Sequence, residues 1–425
     1  MMRFSNLFVT TQKQIAEEEV STNAKLLLKW WYIDRMIAWV YTFLPFGNIV
    51  LTKIANIVRE EMNNIWGNEV FMPTLASKKN WVATNRYYEM DNLFITHTVN
   101  WHELIINPSH EEVITPLVEK FVSSYKDLPC SVYQIQNKFR NEKRAKSWLL
   151  RWREFLMKDL YSFHSNEEDL DQYFDKVVWA YHRIFERLWV GDITFEVNAP
   201  GGDFSDKPSV EFQTLTEAWE DNIWFIKWTK EAFNEELFEE YSQRFEVKEE
   251  DNEIVEVYDN ETQTYLEKAK AAESANIFKL YDKFSKDFGF YYADHNWEKQ
   301  PVLMWCYWIW ITRVMWVLVE VFHDDKGIKW PEHLAPYKYC IIPIGDNGAS
   351  KAEEIYNKLK ENKEEVIIDD RNYSPGYKFN DADLIGFPYK VVVSDKTLSE
   401  WEDKVELIKR STGESKIISW NELVG

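Results

Sequence analysis

Apolar residues recur at helical spacing in segment 49–62, where Val50, Ile54, Ile57 and Val58 share one face. That period predicts an amphipathic helix. Segment 69–73 reads as a short strand stopped by Pro73, and 131–139 as a strand of alternating character. Segment 153–163 mixes apolar and charged residues, 170–189 reads as a helix and 193–197 as a strand. Segment 231–272 is acidic and is expected to form a helical insertion or a solvated linker. Downstream, 339–344, 349–363 and 365–368 read as strand, helix and strand, with a further strand at 389–393 after a turn at Gly386. Such a unit forms a compact α/β domain, and Pro331 and Pro336 put its boundary near residue 332. There is no internal repeat or low-complexity tract.

The run 302–322 is 21 residues long and almost wholly apolar, long enough to span a bilayer. Arg313 at its centre and Glu320 near its end are costly in lipid, so no membrane span is expected. With 45% hydrophobic and 28% charged residues the chain belongs to the folded class. Its 425 residues suggest two or three domains. The net charge of −21 argues against a non-specific nucleic-acid coat. That charge is uneven: 231–273 holds 15 acidic and four basic residues, and 138–158 eight basic and two acidic. The basic stretch suits phosphates. Cys130, Cys306 and Cys340 lie far apart without a CxxC pair, which suggests unlinked thiols in a reducing compartment. The N-terminal stretch has no apolar run of signal-peptide length, so a cytoplasmic location is expected.

Four segments then stand in a specific order. The first is 44–47 with VREEMNNIWGNEVFMP (58–73), and the second is NPSHEEVIT (107–115). The third is YQIQNKFRNE (133–142) with LLRWREFLMKDLYSFH (149–164), and the fourth is CYWIWITR (306–313) with GIKWPEHLAPY (327–337). Together they resemble the bacterial type of prolyl-tRNA synthetase, a class II aminoacyl-tRNA synthetase, over about 330 of the 425 residues. DDRNYSPGYKFNDADLIGFP (369–388) resembles the anticodon-binding domain of the same subgroup. The resemblance implies an α+β fold, in which an antiparallel-sheet catalytic domain precedes an α/β anticodon-binding domain. The expected division is 1–228 and 275–332 for the catalytic domain, 229–274 for an acidic insertion, and 333–425 for the anticodon-binding domain. The implied activity is proline–tRNA ligation in the cytoplasm, with ATP and Mg²⁺ as cofactors, L-proline and tRNA(Pro) as partners, and a homodimer formed through the first-motif helix. Two alternatives are another class IIa synthetase (for threonine, histidine, glycine or serine) and a non-catalytic synthetase-like RNA-binding protein.

Activation of an amino acid sets its carboxylate against the α-phosphate of ATP, so the protein chiefly positions reactants and offsets charge. Arginine forks suit that task. By resemblance, Arg140 meets the α-phosphate and the amino-acid carboxylate, Glu142 the adenine amino group, and Arg151 a phosphate. Phe155 stacks on adenine, and Arg313 meets the γ-phosphate. Ser109 and Glu111 would hold the secondary ammonium of proline, in a pocket with Met157, Asp159 and Tyr161. Glu211 and Gln213 resemble groups beside ATP and Mg²⁺, although Val210 stands where the family tends to have His. The roughly 45 residues at 229–274 are too few for the editing domain of many bacterial relatives. A separate hydrolase is therefore expected to clear mischarged alanine.

The largest departure is compositional. The chain has 21 Trp and only 13 Gly, against roughly 7% Gly in ordinary chains. Trp308 and Trp310 occupy the two glycine positions of the third motif. Trp31, Trp39, Trp66, Trp101, Trp148, Trp189, Trp219, Trp297 and Trp305 also stand where the family favours Gly, and Trp30, Trp152, Trp228, Trp316 and Trp401 are further candidates. Trp81 and Trp330 stand where tryptophan is usual. Returning about 15 positions to glycine gives about 28 glycines, the ordinary share. UGA is read as glycine in some bacterial codes and as tryptophan in others, and a mixture of the two readings produces this composition.

Overall fold

The computed structural model describes residues 2–9, 22–29, 32–142, 152–201, 208–218, 221–251 and 253–423. Arg151, Trp30, Trp31, Trp148 and Trp219 lie outside the described residues. The chain divides into two compact units, Ala55–Val317 and Met1–Ile54 with Leu318–Gly425.

Nine strands form the sheet of the first unit. Their order is Ser209–Leu215, Thr194–Ala199, Glu231–Asn234, Asp221–Phe225, Glu267–Tyr281, Leu303–Trp310, Glu154–His164, Cys130–Phe139 and Asn68–Glu69. All pairings are antiparallel except those of 231–234 with 194–199 and of 68–69 with 130–139. The 15-residue strand 267–281 pairs with both 209–215 and 221–225, which closes five strands into a ring. Phe195, Val197, Ile223, Phe225, Ala232 and Ala271 cluster in a core on these strands.

Helix Glu167–Arg187 covers one face of the sheet through Leu170, Tyr173, Val177, Ala180, Tyr181, Ile184 and Phe185, an i, i+3, i+4 stripe. Asn166 caps its start by accepting from the Asp169 amide at 2.9 Å, behind three acidic residues in the first turn.

One expectation is corrected here. The acidic segment is neither a helix nor a linker. It supplies strand 231–234 and a three-stranded sheet, Phe245–Glu250, Glu253–Asp259 and Thr264–Tyr265. Trp224, Ile226, Phe233, Phe238, Phe245, Val257 and Leu266 give that part its own apolar core. Most of the acids sit on exposed positions, with Asp259 buried against Arg244, so charge density hid the strands. The run 302–322, in turn, breaks into strand Leu303–Trp310 and helix Ile311–Val321. Among the described residues no helix is long and apolar enough to cross a membrane.

In the second unit a five-stranded sheet runs Val366–Ile368, Tyr339–Ile344, Tyr389–Ser394, Lys404–Lys409, Ser415–Ser419. The first three strands are parallel and the last two antiparallel. Helix Asp346–Glu361 packs Ala352, Ile355, Tyr356 and Leu359 onto it. Helix Pro375–Ile385 and the last two strands were not expected from the pattern. That helix has buried residues at Lys378 and Asp381, so no apolar stripe announces it.

Among the described residues five tryptophans have left-handed backbone: Trp39, Trp66, Trp101, Trp189 and Trp297, with φ between 61° and 66°. Side chains with a Cβ resist this region by roughly 1–2 kcal/mol each. All five are positions assigned above to glycine, and Trp81 and Trp330 are not among them.

Candidate active site

The open face of the sheet carries the site, and strand register builds it. Along one row Gln134 stands opposite Asp159, Asp159 opposite Trp308, Trp308 opposite Asn276, and Asn276 opposite Glu211. The next rows bring Gln136, Met157 and Trp310 together, and Val132, Tyr161, Cys306 and Phe278. Met157, Asp159 and Tyr161 therefore alternate onto one face, all buried. Lys138 pairs with Asp159 at 2.6 Å, and Gln134 and the Tyr161 hydroxyl both donate to the second Asp159 oxygen.

Ser109 and Glu111 flank the start of helix Glu111–Val118 and are buried. The Tyr161 hydroxyl accepts from the His110 amide at 3.1 Å, tying that loop to the sheet face. Burial and the Lys138 charge push the His110 pKa down to about 3, so its ring is neutral at physiological pH. Glu111 Oε2 accepts from Arg86, while Glu111 Oε1 is buried without a hydrogen-bond partner.

Arg140 follows the end of strand 130–139, held by its amide bond to the Arg153 carbonyl at 3.0 Å. Its Nε and Nη2 are buried without hydrogen-bond partners, and burial lowers its pKa to about 10, still cationic at neutral pH. Buried donors of this kind are costly unless a ligand takes them up. Phe155 lies under the guanidinium, 5.4 Å from ring centroid to Cζ. Glu142 sits two residues beyond Arg140 and donates its amide to the Arg140 carbonyl.

Arg313, in the first turn of helix 311–321, donates to the Glu273 carbonyl at 2.8 Å and to its carboxylate at 2.9 Å. Asn276 donates to both Glu273 and Glu211, and Gln213 donates to Glu211 at 2.6 Å. Two carboxylates thus meet around one amide. No group of three or more metal-ligating side chains occurs among the described residues. Mg²⁺ in nucleotide sites takes one or two carboxylates and completes its shell with phosphate oxygens and water, so Glu211 and Glu273 fit such an ion.

The structure brings together Ser109, Glu111, Arg140, Phe155, Met157, Asp159, Tyr161, Glu211, Gln213 and Arg313; Arg151 is not described. The motif reading missed Arg86, Lys138, Glu273 and Asn276. Lys138 was counted only in a basic stretch and Glu273 only in an acidic one, and no local pattern sets either apart.

Both motif tryptophans lie in the site. Trp308 packs against Arg140 (5.7 Å) and the Phe278 ring (4.7 Å), and Trp310 against Arg313 (4.5 Å). The two indoles touch each other at 6.1 Å, and both are buried. They fill the surface that links the two arginines.

Residues 94–322 match the family described as tRNA synthetase class II core domain (G, H, P, S and T), and 338–425 the anticodon binding domain. The chain is 34% identical over 434 residues to a proline–tRNA ligase of Anaplasma phagocytophilum, covering 100% of this chain and 99% of that one. It is 33% identical over 429 residues to the proline–tRNA ligase of Ehrlichia canis, covering 98% of each. Among solved structures, prolyl-tRNA synthetase from Cryptosporidium parvum complexed with halofuginone and AMPPNP superposes with a TM-score of 0.75 at 18% identity. The match covers 95% of this chain and 75% of that one, and shows a shared fold.

Proposed function

The chain belongs to the class II aminoacyl-tRNA synthetases, within the proline–tRNA ligase family, and from that premise we propose a role for each residue of its site. The protein uses ATP to join L-proline to tRNA(Pro), through a prolyl-adenylate. Proline enters with its ammonium toward Glu111 and Ser109 and its ring toward Met157 and Tyr161. Asp159, held by Lys138 and Gln134, fixes the Tyr161 hydroxyl that carries the 109–111 loop. The proline carboxylate and the α-phosphate share Arg140, whose free Nε and Nη2 are the observation that carries this reading. A buried cation with open donors beside a buried carboxylate with an open acceptor suits a zwitterion and a phosphate.

Adenine stacks on Phe155 with Glu142 accepting from its amino group, Arg151 meets a phosphate, and Arg313 meets the γ-phosphate. Mg²⁺ would be held by Glu211 and Glu273 with Gln213 alongside, and would supply charge neutralisation of the leaving pyrophosphate. Pyrophosphate leaves as the adenylate forms; the ribose 3′-hydroxyl of tRNA then attacks the prolyl carbonyl, and AMP leaves. We also assign residues 333–425 to anticodon binding, 229–274 to the insertion, 1–228 and 275–332 to the catalytic domain, and a homodimer contact to helix Pro45–Asn64. A cytoplasmic location accords with three unlinked thiols.

The test is amino-acid-dependent ATP–pyrophosphate exchange by the enzyme isolated from its own cells. Exchange is expected with proline. Exchange driven instead by threonine or histidine overturns the substrate assignment.

A further inference from the structure

We infer that the functional protein carries glycine, not tryptophan, at positions 39, 66, 101, 189 and 297, and that its gene encodes these positions by UGA read as glycine. The backbone carries the inference, by three kinds of turn. Helix 45–64 ends with the Gly67 amide bonded to the Met62 carbonyl and the Trp66 amide to the Asn63 carbonyl. Helix 167–187 ends in the same way, with Val190 bonded to Phe185 and Trp189 to Glu186. These are paired 6→1 and 5→2 closures, and Trp66 and Trp189 hold the left-handed position that glycine ordinarily takes.

Two hairpins repeat a second pattern. The Thr98 amide bonds to the His102 carbonyl and Trp101 to Thr98; Asp294 bonds to Glu298 and Trp297 to Asp294. Each three-residue loop ends in Asn followed by a left-handed residue, Asn100–Trp101 and Asn296–Trp297, where a glycine closes the turn. Trp39 closes the third kind, a two-residue loop between Ile37 and Val40.

Four of the five side chains bury little area in return for the strained backbone: Trp66, Trp101, Trp189 and Trp297 are 61–87% exposed. Trp81, buried, and Trp179, within helix 167–187, have ordinary backbone. One decoding rule that returns glycine at the five strained turns also removes the indoles of Trp308 and Trp310 from Arg140 and Arg313. It further requires a glycine tRNA whose anticodon pairs with UGA.

Gene sequencing, with peptide mass spectrometry of the native protein, is expected to show UGA codons and glycine at the five positions, and UGG at 81 and 179. UGG codons at the five positions overturn the inference. Independently, the combined variant W66G/W101G/W189G/W297G should raise the denaturation midpoint of the tryptophan-bearing chain, whereas W179G should lower it. A tryptophan chain that fails to fold beside a glycine chain that folds supports the inference; a lowered midpoint for the combined variant overturns it. Neither readout depends on the substrate.

A different observation points to Arg86 as a positioning residue for proline, an inference that rests on Glu111 as the ammonium ligand. Arg86 is 1% exposed. Its Nη1 donates to Glu112 at 2.8 and 3.0 Å and to Glu111 at 3.2 Å, and its Nη2 to Ser109 at 3.1 Å. One planar fork therefore fixes both side chains assigned to the ammonium, and leaves the second Glu111 oxygen open. Glu112 lies beneath it as a buried counter-charge.

R86Q should raise KM for proline at least tenfold with KM for ATP unchanged. The paired variant R86Q/E112Q removes the stranded carboxylate and should recover the denaturation midpoint but not the proline KM. Recovery of the proline KM in the pair, or an equal rise in both KM values, overturns the positioning role. If E111Q leaves the proline KM unchanged, the ligand assignment fails instead.

Discussion

At the scale of single residues, the site works by pairing groups that burial makes costly. Glu111 and Arg140 each leave polar atoms unmet in the interior, a cost that the proposed function offsets with a ligand of opposite charge. E111Q keeps the shape and the Arg86 contact but removes the charge. A hydrogen bond to a charged group is worth about 1.5–3 kcal/mol, so proline KM should rise roughly ten- to a hundredfold in ATP–pyrophosphate exchange. An unchanged KM would mean the ammonium is held elsewhere. Lys158 shows the structural counterpart. Burial pushes its pKa well down, yet its amine is met by the Tyr181 hydroxyl and the Tyr307 carbonyl, which suits a scaffold role rather than a ligand-binding one.

Among elements, strand order does the assembling. Strands 130–139 and 154–164 carry one motif, 303–310 carries another and 267–281 none, and antiparallel pairing lays Gln134, Asp159, position 308 and Asn276 in one row. Helix 167–187 backs the opposite face, so its stability bears on the flatness of the site. Asn166 supplies its N-terminal cap. N166A should cost about 1 kcal/mol in urea-monitored stability, with proline and ATP KM values unchanged. A null effect on stability would show that the acidic first turn suffices without the cap.

For the molecule as a whole, charge governs the response to acid. Asp324 accepts from both Nη atoms of Arg410, at 2.8 and 2.6 Å, within one unit. Those bonds hold its pKa well below the ordinary 3.8. A depressed carboxyl pKa adds stability that is complete above 3.8 and is lost as pH falls below it toward the folded value. D324N should therefore lower stability at pH 7 by about 1 kcal/mol, a magnitude kept small by solvent screening. The difference from the parent chain should shrink as pH falls below the ordinary carboxyl range. An equal deficit at pH 7 and at strongly acid pH would remove the ion pair from the account.

The sequence by itself determined the elements with a clear period, namely helix 45–64, helix 167–187 and the strand–helix–strand unit after 338. It also carried the ordered motifs whose resemblance named the family. Its imbalance of 21 Trp against 13 Gly raised the question of misplaced tryptophans, and the family resemblance pointed to the positions. It misread the acidic segment, because short half-buried strands carry fewer apolar residues than their charged neighbours. What only the tertiary structure decided lies in pairing across long distances. Strand register joined Glu211 to Asn276 and Lys138 to Asp159, and loop packing set Arg86 against Ser109, Glu111 and Glu112. Backbone φ then separated the tryptophans that the fold can accept from those it strains. Local periodicity reports which face a residue takes, but contacts between segments form only when strands align, and no single window of sequence contains that information.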